Sequence, residues 1–258
     1  MVKRKKKQYL AGHQRSWIWG RNAVTEILEA AKWPMIELFL ADDLPQEALT
    51  AAQQQGRALG ADVTATTRER LRELCGATEH QGYLARMGPY PYATWNEVMA
   101  EAANAGSPPF YLVLDAIRDP HNFGAIVRSA AALNATAVII GVEEQSPVNN
   151  HVARASAGAV NRIPILQSNS IAEALTYLQE RETLCAAADQ RGNILCWEYD
   201  FNRPVALVMG NESAGVRPEL RERCPHRIAI PGSGKTDSLN VAAAGATLLY
   251  EAMRQRAG

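Results

Sequence analysis

Apolar residues in the second half of the chain gather in short runs separated by stretches of mixed character. The runs 110–114, 137–140 and 205–209 are almost entirely apolar. Such runs are typical of strands buried on both faces of a parallel sheet. Between them, apolar residues recur at a spacing of three and four, which predicts amphipathic helices. The alternation of strands and helices therefore indicates an α/β protein whose parallel sheet is covered on both faces.

Two stretches rich in proline interrupt this pattern and mark domain boundaries. They are Pro89-Tyr90-Pro91-Tyr92 and Gly106-Ser107-Pro108-Pro109, and both favour turns over regular structure. A shorter alternation of helices and strands precedes them, and one short helix lies between them. The predicted organisation is a flexible basic tail at 1–16, a small α/β domain at 17–92, a linker at 93–108 and a larger domain at 109–258.

The periodicity within each domain also predicts the bounds of individual elements. In the first domain the predicted helices are 22–31, 44–59 and 68–75, and the predicted strands are 35–40, 62–66 and 82–87. In the second domain the predicted strands are 110–114, 137–140, 163–166, 183–187, 205–209 and 228–230. The predicted helices there are 123–133, 152–157, 171–179, 216–223 and a closing helix rich in Ala and Gly, which Ser238 is expected to cap.

Composition narrows the class of protein only slightly. The 258 residues include 27 basic and 27 acidic side chains, so any basic footprint for nucleic acid must be local. One local excess, Lys3-Arg4-Lys5-Lys6-Lys7, is either a solvated tail or an arm that adds phosphate contacts. No apolar run approaches the ~20 residues of a membrane span, and none follows the basic start as in a secretory signal. The scattered cysteines lack metal-ligand spacing, so we expect reduced thiols, no metal and a cytoplasmic protein.

Polar residues of unusual type cluster in three loops, and each loop follows a predicted strand. The first carries Asn122 and, about two helical turns later, Arg128. The second is Gly210-Asn211-Glu212, and the third follows strand 228–230. Each of these residues also has a purely structural interpretation. Asn122 could cap a helix, Arg128 could lie on the surface and the Glu212 carboxylate could cap the next helix. Since ligands of open α/β sheets bind at the carboxyl ends of strands, the three loops together predict one site.

The third loop also permits a nucleotide-binding interpretation. Gly234-Lys235-Thr236 matches the end of a phosphate-binding loop, and the context of strand, loop and helix suits it. The first glycine of that signature is missing, because Ala229 occupies its place. A nucleoside-triphosphate enzyme is therefore a minor alternative. No Gly-x-Gly-x-x-Gly follows a predicted strand, which argues against a dinucleotide site.

Taken together, the three loops resemble the three motifs of the SpoU-type (TrmH family) branch of the SPOUT RNA methyltransferases. The motifs lie in order at 119–129, 208–212 and 230–241, and the similarity covers 110–256, more than half of the chain. The front domain resembles the small ribosomal-protein-L30e-like domain that binds substrate in some members. His80-Gln81-Gly82 is similar to the end of that domain in the bacterial 23S rRNA guanosine-2'-O-methyltransferases.

This resemblance implies a fold, a cofactor and partners. The second domain would be a SPOUT domain with a trefoil knot, which is an exception to the rule that chains do not thread loops. It would form a homodimer and methylate RNA, with a guanosine of 23S rRNA as the first candidate and transfer RNA as the alternative. S-adenosyl-L-methionine would be held by the knotted loops at Gly210, Ile230 and Leu239. The candidate catalytic residues are Asn122, Arg128, Glu212, Ser238 and Asn240.

The implied reaction assigns a role to each candidate. A ribose 2'-hydroxyl is a poor acid, so the site must orient it, stabilise its oxyanion and exclude water. Arg128 is sometimes assigned as the base in this family, but a guanidinium stays protonated in proteins. We therefore expect Arg128 to bind an RNA phosphate and developing negative charge, within its own protomer or across the dimer. Asn122 would orient Arg128. Ser238 and Asn240 would position the ribose, and Glu212 would fix its loop.

The sequence departs from the usual family motif at one position, and one rival function stays open. Gly232 stands where the family usually has a bulky apolar residue, so the loop is expected to be more mobile, with Lys235 near RNA phosphate. The rival is a catalytically silent protein that binds RNA or assists ribosome assembly. A binding module has no need of all five polar residues, and it would not take up S-adenosyl-L-methionine.

Overall fold

The computed structural model describes residues 17–211, 213–234 and 238–257. Within this part of the chain, contacts define two compact units. The first unit extends to Pro91 and includes Val148–Arg162, whereas the second comprises Tyr92–Pro147 and resumes at Ile163. The predicted basic tail at 1–16 lies outside the described residues.

The described residues form strands and helices close to those predicted. The strands are β1 (Trp17–Trp19), β2 (Met35–Ala41), β3 (Asp62–Thr66), β4 (Tyr83–Met87), β5 (Phe110–Leu114), β6 (Ala137–Gly141), β7 (Ile165–Ser168), β8 (Leu184–Ala188), β9 (Ile194–Leu195), β10 (Val205–Met209) and β11 (His226–Ala229). The helices are α1 (Arg21–Ala30), α2 (Gln46–Ala58), α3 (Arg68–Cys75), α4 (Trp95–Asn104), α5 (Pro120–Ala132), α6 (Asn150–Ala155), α7 (Ile171–Gln179), α8 (Pro218–Arg221) and α9 (Val241–Ala257), with a 3-10 turn at Ala159–Asn161. The predicted bounds of β3, β5, β10, α3 and α7 agree residue for residue.

The first unit is a small α/β fold around a sheet in the order β1-β4-β2-β3. Strand β2 runs parallel to β3, and β4 runs antiparallel to both β1 and β2. The core is made of apolar side chains from strands and helices, among them Trp17, Leu38, Leu71 and Leu84, all buried. Strand β1 was not predicted, because three residues are too few to display a period of two.

The stretch Val148–Arg162, which joins β6 to β7 along the chain, packs within the first unit. The Arg154 guanidinium lies over the Trp19 ring, 4.4 Å from its centroid. Arg162 Nε lies 2.6 Å from a Glu26 carboxylate oxygen. The sequence prediction included this stretch in the domain at 109–258, because local periodicity shows that a helix exists but not which unit it packs against.

The second unit is built on a seven-stranded sheet in the order β7-β6-β5-β10-β8-β11-β9. Each pairing recorded in it is parallel. Every residue of β5, β6 and β10 is buried, as expected for strands covered on both faces. The prediction of an α/β protein with a parallel sheet and a smaller front domain is confirmed. No helix within the described ranges combines the length and apolar character needed to cross a membrane.

Two helices at the candidate site start at residues other than those predicted. Helix α5 begins at Pro120, and the Asp119 side chain accepts a backbone N–H at 2.9 Å. Proline suits the first helical position because its φ is fixed and no N–H is needed there. Helix α9 begins at Val241, and Asn240 is its cap, since Oδ1 accepts two backbone N–H groups at 2.9 and 3.3 Å. The prediction that Ser238 caps this helix is therefore wrong.

Candidate active site at the carboxyl ends of the sheet

The three loops singled out by sequence all leave the same edge of the sheet. Strands β5, β10 and β11 belong to one parallel sheet, so their carboxyl ends point the same way. Strands β5 and β10 are neighbours, and only β8 separates β10 from β11. Directly past β5, the Asp115 N–H donates to the Met209 carbonyl at 2.8 Å, so the first two loops start side by side.

A direct side-chain contact joins the first and third loops. Asn240 Nδ2 donates to Asn122 Oδ1 at 3.0 Å. Asn122 lies in the first turn of α5 and is half-buried, whereas Asn240 caps α9. Because Asn240 Oδ1 is engaged by the helix N–H groups, its Nδ2 is the atom left to face Asn122. The amide orientation of this pair is therefore fixed by the helix start.

The small residues of α9 let it approach the sheet and α5 closely. A Cβ on Gly245 would lie 3.3 Å from Met209 Sδ and 3.7 Å from Ile126 Cγ1. Gly245 thus packs between β10 and α5, which agrees with the expectation that this helix is packed tightly against other parts of the chain. The position of α9 in turn fixes where Asn240 meets the loop after β5.

A cavity of about 520 Å³ is lined by Leu239 and Val241, the chain neighbours of Asn240, although neither asparagine of the pair lines it. It is lined by the loops that follow β8, β10 and β11 and by the first turns of α9. Its volume falls in the range of small-molecule sites, which is roughly 300–1,000 Å³. The lining combines apolar side chains with exposed backbone, and it includes four residues predicted from sequence: Gly210, Ile230, Ser238 and Leu239.

The cavity wall formed by the loop after β10 depends on a glycine. A Cβ on Gly210 would lie 2.0 Å from the Gly215 carbonyl carbon, so no other residue fits this fold of the chain. The turn is closed by the Gly215 N–H, which donates to the Asn211 carbonyl at 2.8 Å. Asn211 Oδ1 also accepts from the Ser213 N–H at 2.9 Å. The loop residues that line the cavity thus include two glycines, Gly210 and Gly215, which offer it only backbone atoms.

Charged side chains stand at the rim of the cavity. Asp189 and Arg191 line it next to β8, and Arg221 lines it from α8. Asp189 Oδ1 accepts the Arg191 backbone N–H at 2.8 Å, and its other oxygen lies 3.8 Å from the Arg227 guanidinium. A ligand with charges of both signs would find complementary groups here.

One ion pair beside the site, between a buried carboxylate and a partly exposed guanidinium, was not recognised in the sequence. Asp115 is fully buried, and its carboxylate accepts Arg217 Nε at 2.6 Å and the Arg217 backbone N–H at 2.9 Å. A carboxylate directly after the apolar strand β5 was the signal that could have revealed it, because a buried charge needs a partner. Arg217 also lines a smaller cavity of about 120 Å³, together with Ala116.

The other residues predicted for the site do not take part in the contact between Asn122 and Asn240. Arg128 lies on the exposed side of α5 and does not line the cavity of about 520 Å³. Ser238 is exposed and lines that cavity, although it does not cap α9. Glu212, Lys235 and Thr236 lie outside the described residues. The structure thus brings Asn122 and Asn240 into contact and places the predicted cofactor residues around one cavity.

None of the cysteines lines the cavity of about 520 Å³. All four are buried and none forms a disulfide. Burial raises the pKa of Cys185 to about 11 and that of Cys224 to about 12, so neither thiol is a nucleophile near neutral pH. Within the described residues there is no cluster of His, Cys, Asp or Glu that could hold a metal ion.

Comparison with known protein families agrees with the motifs. Residues 109–250 match the SpoU rRNA Methylase family, and residues 17–93 match the domain described as RNA 2'-O ribose methyltransferase substrate binding. The chain therefore belongs to the SpoU rRNA methylase family, and the resemblance noted from its three motifs is confirmed.

Comparison with individual proteins identifies relatives whose reaction or structure is known in more detail than the family description. The 23S rRNA (guanosine-2'-O-)-methyltransferase RlmB of Xanthomonas axonopodis pv. citri is 34% identical over 245 residues, which cover 95% of this chain and 98% of that protein. The AdoMet-bound rRNA methyltransferase from Sinorhizobium meliloti superposes with a TM-score of 0.78 at 26% identity, covering 96% of this chain and 90% of that one. The SpoU methyltransferase AviRb from Streptomyces viridochromogenes, in complex with AdoMet, has the same fold, with a TM-score of 0.80 at 23% identity over 98% and 94% of the two chains.

Proposed function

We propose that this chain transfers a methyl group from S-adenosyl-L-methionine to a ribose 2'-hydroxyl of RNA, at a guanosine of 23S rRNA. The observation that carries the proposal is the contact between Asn122 and Asn240, together with a cavity of ligand size that the chain neighbours of Asn240 line. Family membership and the relatives that act on 23S rRNA support the reaction and the target.

The cavity fits the cofactor by size and by the character of its lining. S-adenosyl-L-methionine, when bound, supplies an electrophilic methyl group on a sulfonium. Gly210, Ile230 and Leu239 would hold it, largely through backbone atoms and apolar surface. Asp189 and Arg191 at the rim suit the amino and carboxylate groups of its methionine part, since charges of opposite sign attract. Cavities of this size bind small molecules through their shape and through a few well-placed polar groups.

The chain's own residues then prepare the hydroxyl for attack. Asn122, oriented by Asn240, lies where the first loop enters α5. Arg128, farther along that helix, binds the RNA phosphate and stabilises negative charge as the hydroxyl loses its proton. Ser238 positions the ribose from the cavity wall, and Glu212 fixes the turn that follows β10. No group of this set is assigned as the general base.

The proposal includes features of assembly that rest on the family resemblance. The second unit forms a trefoil knot, which the close packing of Gly245 against β10 supports. The protein is a homodimer, and the exposed apolar residues Leu239 and Tyr250 support an interface near α9. In this dimer Arg128 serves its own or the neighbouring site. The first unit recognises ribosomal RNA, and the protein acts in the cytoplasm.

Methyl transfer to defined RNA tests the proposal. The purified protein is incubated with radiolabelled S-adenosyl-L-methionine and 23S rRNA from a strain lacking the protein, and 2'-O-methylation is mapped by its block to alkaline cleavage. We expect one modified guanosine. An Asn122→Ala variant serves as the inactive control. Absence of label in 23S rRNA together with label in transfer RNA would reassign the target, and absence of cofactor binding would favour the silent RNA-binding alternative.

A further inference from the structure

The loop after β10, described at 210–211 and 213–217, forms one wall of the cavity of about 520 Å³. Its two ends are anchored to two consecutive residues. At its start, Asn211 Nδ2 donates to the Ala116 carbonyl at 2.9 Å. At its end, Arg217 donates to Asp115 through both its side chain and its backbone. Asp115 and Ala116 directly follow β5 and lead towards the helix that carries Asn122. One short stretch therefore holds both ends of this wall.

The anchor at Arg217 differs from the exposed ion pairs of this unit. The Asp115 side chain is 0% exposed, and both of its oxygens accept hydrogen bonds from the same residue. By contrast, both partners in the pair between Arg203 and Asp200 are more than half exposed. Exposed pairs contribute little, whereas a buried carboxylate that loses its partner is strongly unfavourable. The Asp115 contact therefore restricts the position of Arg217 far more than a surface pair would.

The other anchor is also held in an unusual conformation. Ala116 has a φ of 62°, a left-handed value that residues with a Cβ adopt uncommonly. Such a conformation persists where the surrounding contacts impose it, and these positions are frequent at ligand sites. Here it accompanies the hydrogen bond that the Ala116 carbonyl accepts from Asn211 Nδ2. One anchor thus depends on the buried Asp115 carboxylate and the other on the left-handed backbone of Ala116. A freely moving loop would maintain neither contact.

We propose that Asp115 and Arg217 are positioning residues for S-adenosyl-L-methionine, which act by holding the wall formed by 210–211 and 213–217 in its binding-competent form. This inference rests on the proposed function, because it concerns the cofactor of that reaction. Neither side chain needs to touch the cofactor. When the anchor is removed, a smaller fraction of molecules has the wall in place, and the apparent Kd rises in inverse proportion to that fraction.

The experiment is a calorimetric titration of the full-length chain with S-adenosyl-L-methionine, combined with steady-state methyl transfer. Arg217→Met removes the guanidinium but keeps the backbone bond to Asp115. Asp115→Asn removes the charge with little change of shape. Arg217→Lys is the conservative variant, and Arg203→Met, from the exposed pair, is the matched control. Circular dichroism and thermal unfolding report the folded fraction of each variant.

We expect Arg217→Met and Asp115→Asn to raise the Kd for the cofactor about tenfold or more, with Arg217→Lys intermediate and Arg203→Met unchanged. The KM for the cofactor should rise while kcat at saturating cofactor stays within about threefold of wild type. An unchanged Kd in folded variants would overturn the inference, as would a loss of kcat without a change in KM. Failure of the wild-type protein to bind the cofactor would instead refute the proposed function.

Discussion

Asn240 combines two contacts that a single substitution can separate. Its Oδ1 accepts backbone N–H groups at the start of α9, and its Nδ2 donates to Asn122 Oδ1. Asn240→Asp keeps an acceptor at the helix start, where negative charge is favourable. It removes the donor, so the Asn122 oxygen would face another oxygen. The Asn122 amide must then turn over, which exchanges donor and acceptor at the proposed catalytic position.

The magnitudes follow from these contacts. Asn240→Ala loses the helix cap, about 1 kcal/mol, and the hydrogen bond to Asn122, about 1 kcal/mol. A loss of about 2 kcal/mol corresponds to a Tm lower by about 6 °C in a chain of this size. Asn240→Asp keeps the cap and gains about 0.5 kcal/mol from the helix dipole, so its Tm should change by about 2 °C at most. Both variants should lose methyl transfer by about tenfold or more, since about 1.4 kcal/mol of transition-state stabilisation is a factor of ten.

The assay measures kcat at saturating cofactor and Tm on the same preparations. Asn149→Asp is the matched control, because Asn149 caps α6 in the first unit with acceptor distances of 2.9 and 3.1 Å. We expect this control to keep both activity and Tm. Wild-type turnover in a stably folded Asn240→Asp variant would refute the role assigned to the hydrogen bond between the two asparagines.

Four further predictions concern single positions. Arg128→Lys should abolish most methyl transfer, because the point charge of lysine cannot replace the bidentate guanidinium at an RNA phosphate. The calorimetric Kd for S-adenosyl-L-methionine should stay nearly unchanged, and a higher Kd would count against this role of Arg128. Gly210→Ala should weaken cofactor binding about tenfold or more in the same titration, because its Cβ would lie 2.0 Å from a backbone carbon of its own loop. Arg256→Met should lower stability in urea unfolding by about 3 kcal/mol without changing activity per folded molecule, since this half-buried guanidinium donates to four backbone carbonyls. The hydrogen bond from Arg254 lowers the pKa of Glu251 from 4.5 to about 2, so the stability that this carboxylate adds is present above pH 4.5 and is lost as the pH falls towards 2. Glu251→Gln should therefore flatten the acid limb of the pH–stability curve in that window.

Local pattern predicted the strands of the larger sheet except the two-residue β9, and it predicted the loops that carry the site. The uninterrupted apolar runs of β5 and β10 could only be buried on both faces, and their predicted bounds agree with the structure. Glycine and proline marked the loops because their backbone preferences do not depend on distant residues. Sheet topology predicted that the three loops form one site, and the resemblance of their motifs to the SpoU family assigned Gly210, Ile230 and Leu239 to the cofactor.

The fine structure of the site depended on contacts that no local window contains. Asn122 and Asn240 are 118 residues apart, and Asp115 and Arg217 are 102 apart. Ser238 and Asn240 are comparable caps by residue type, so only the path of the chain after β11 decided which one starts α9. Likewise, Val148–Arg162 shows a helical signal, yet its packing partners lie in the first unit.

The sequence by itself thus determined which segments are buried, which turn and which carry polar groups, because these properties follow from the side chains of neighbouring residues. The tertiary structure decided which of those polar groups meet. The reason is physical: a hydrogen bond or a buried ion pair forms only when the packing of the whole unit brings its two partners within about 3 Å.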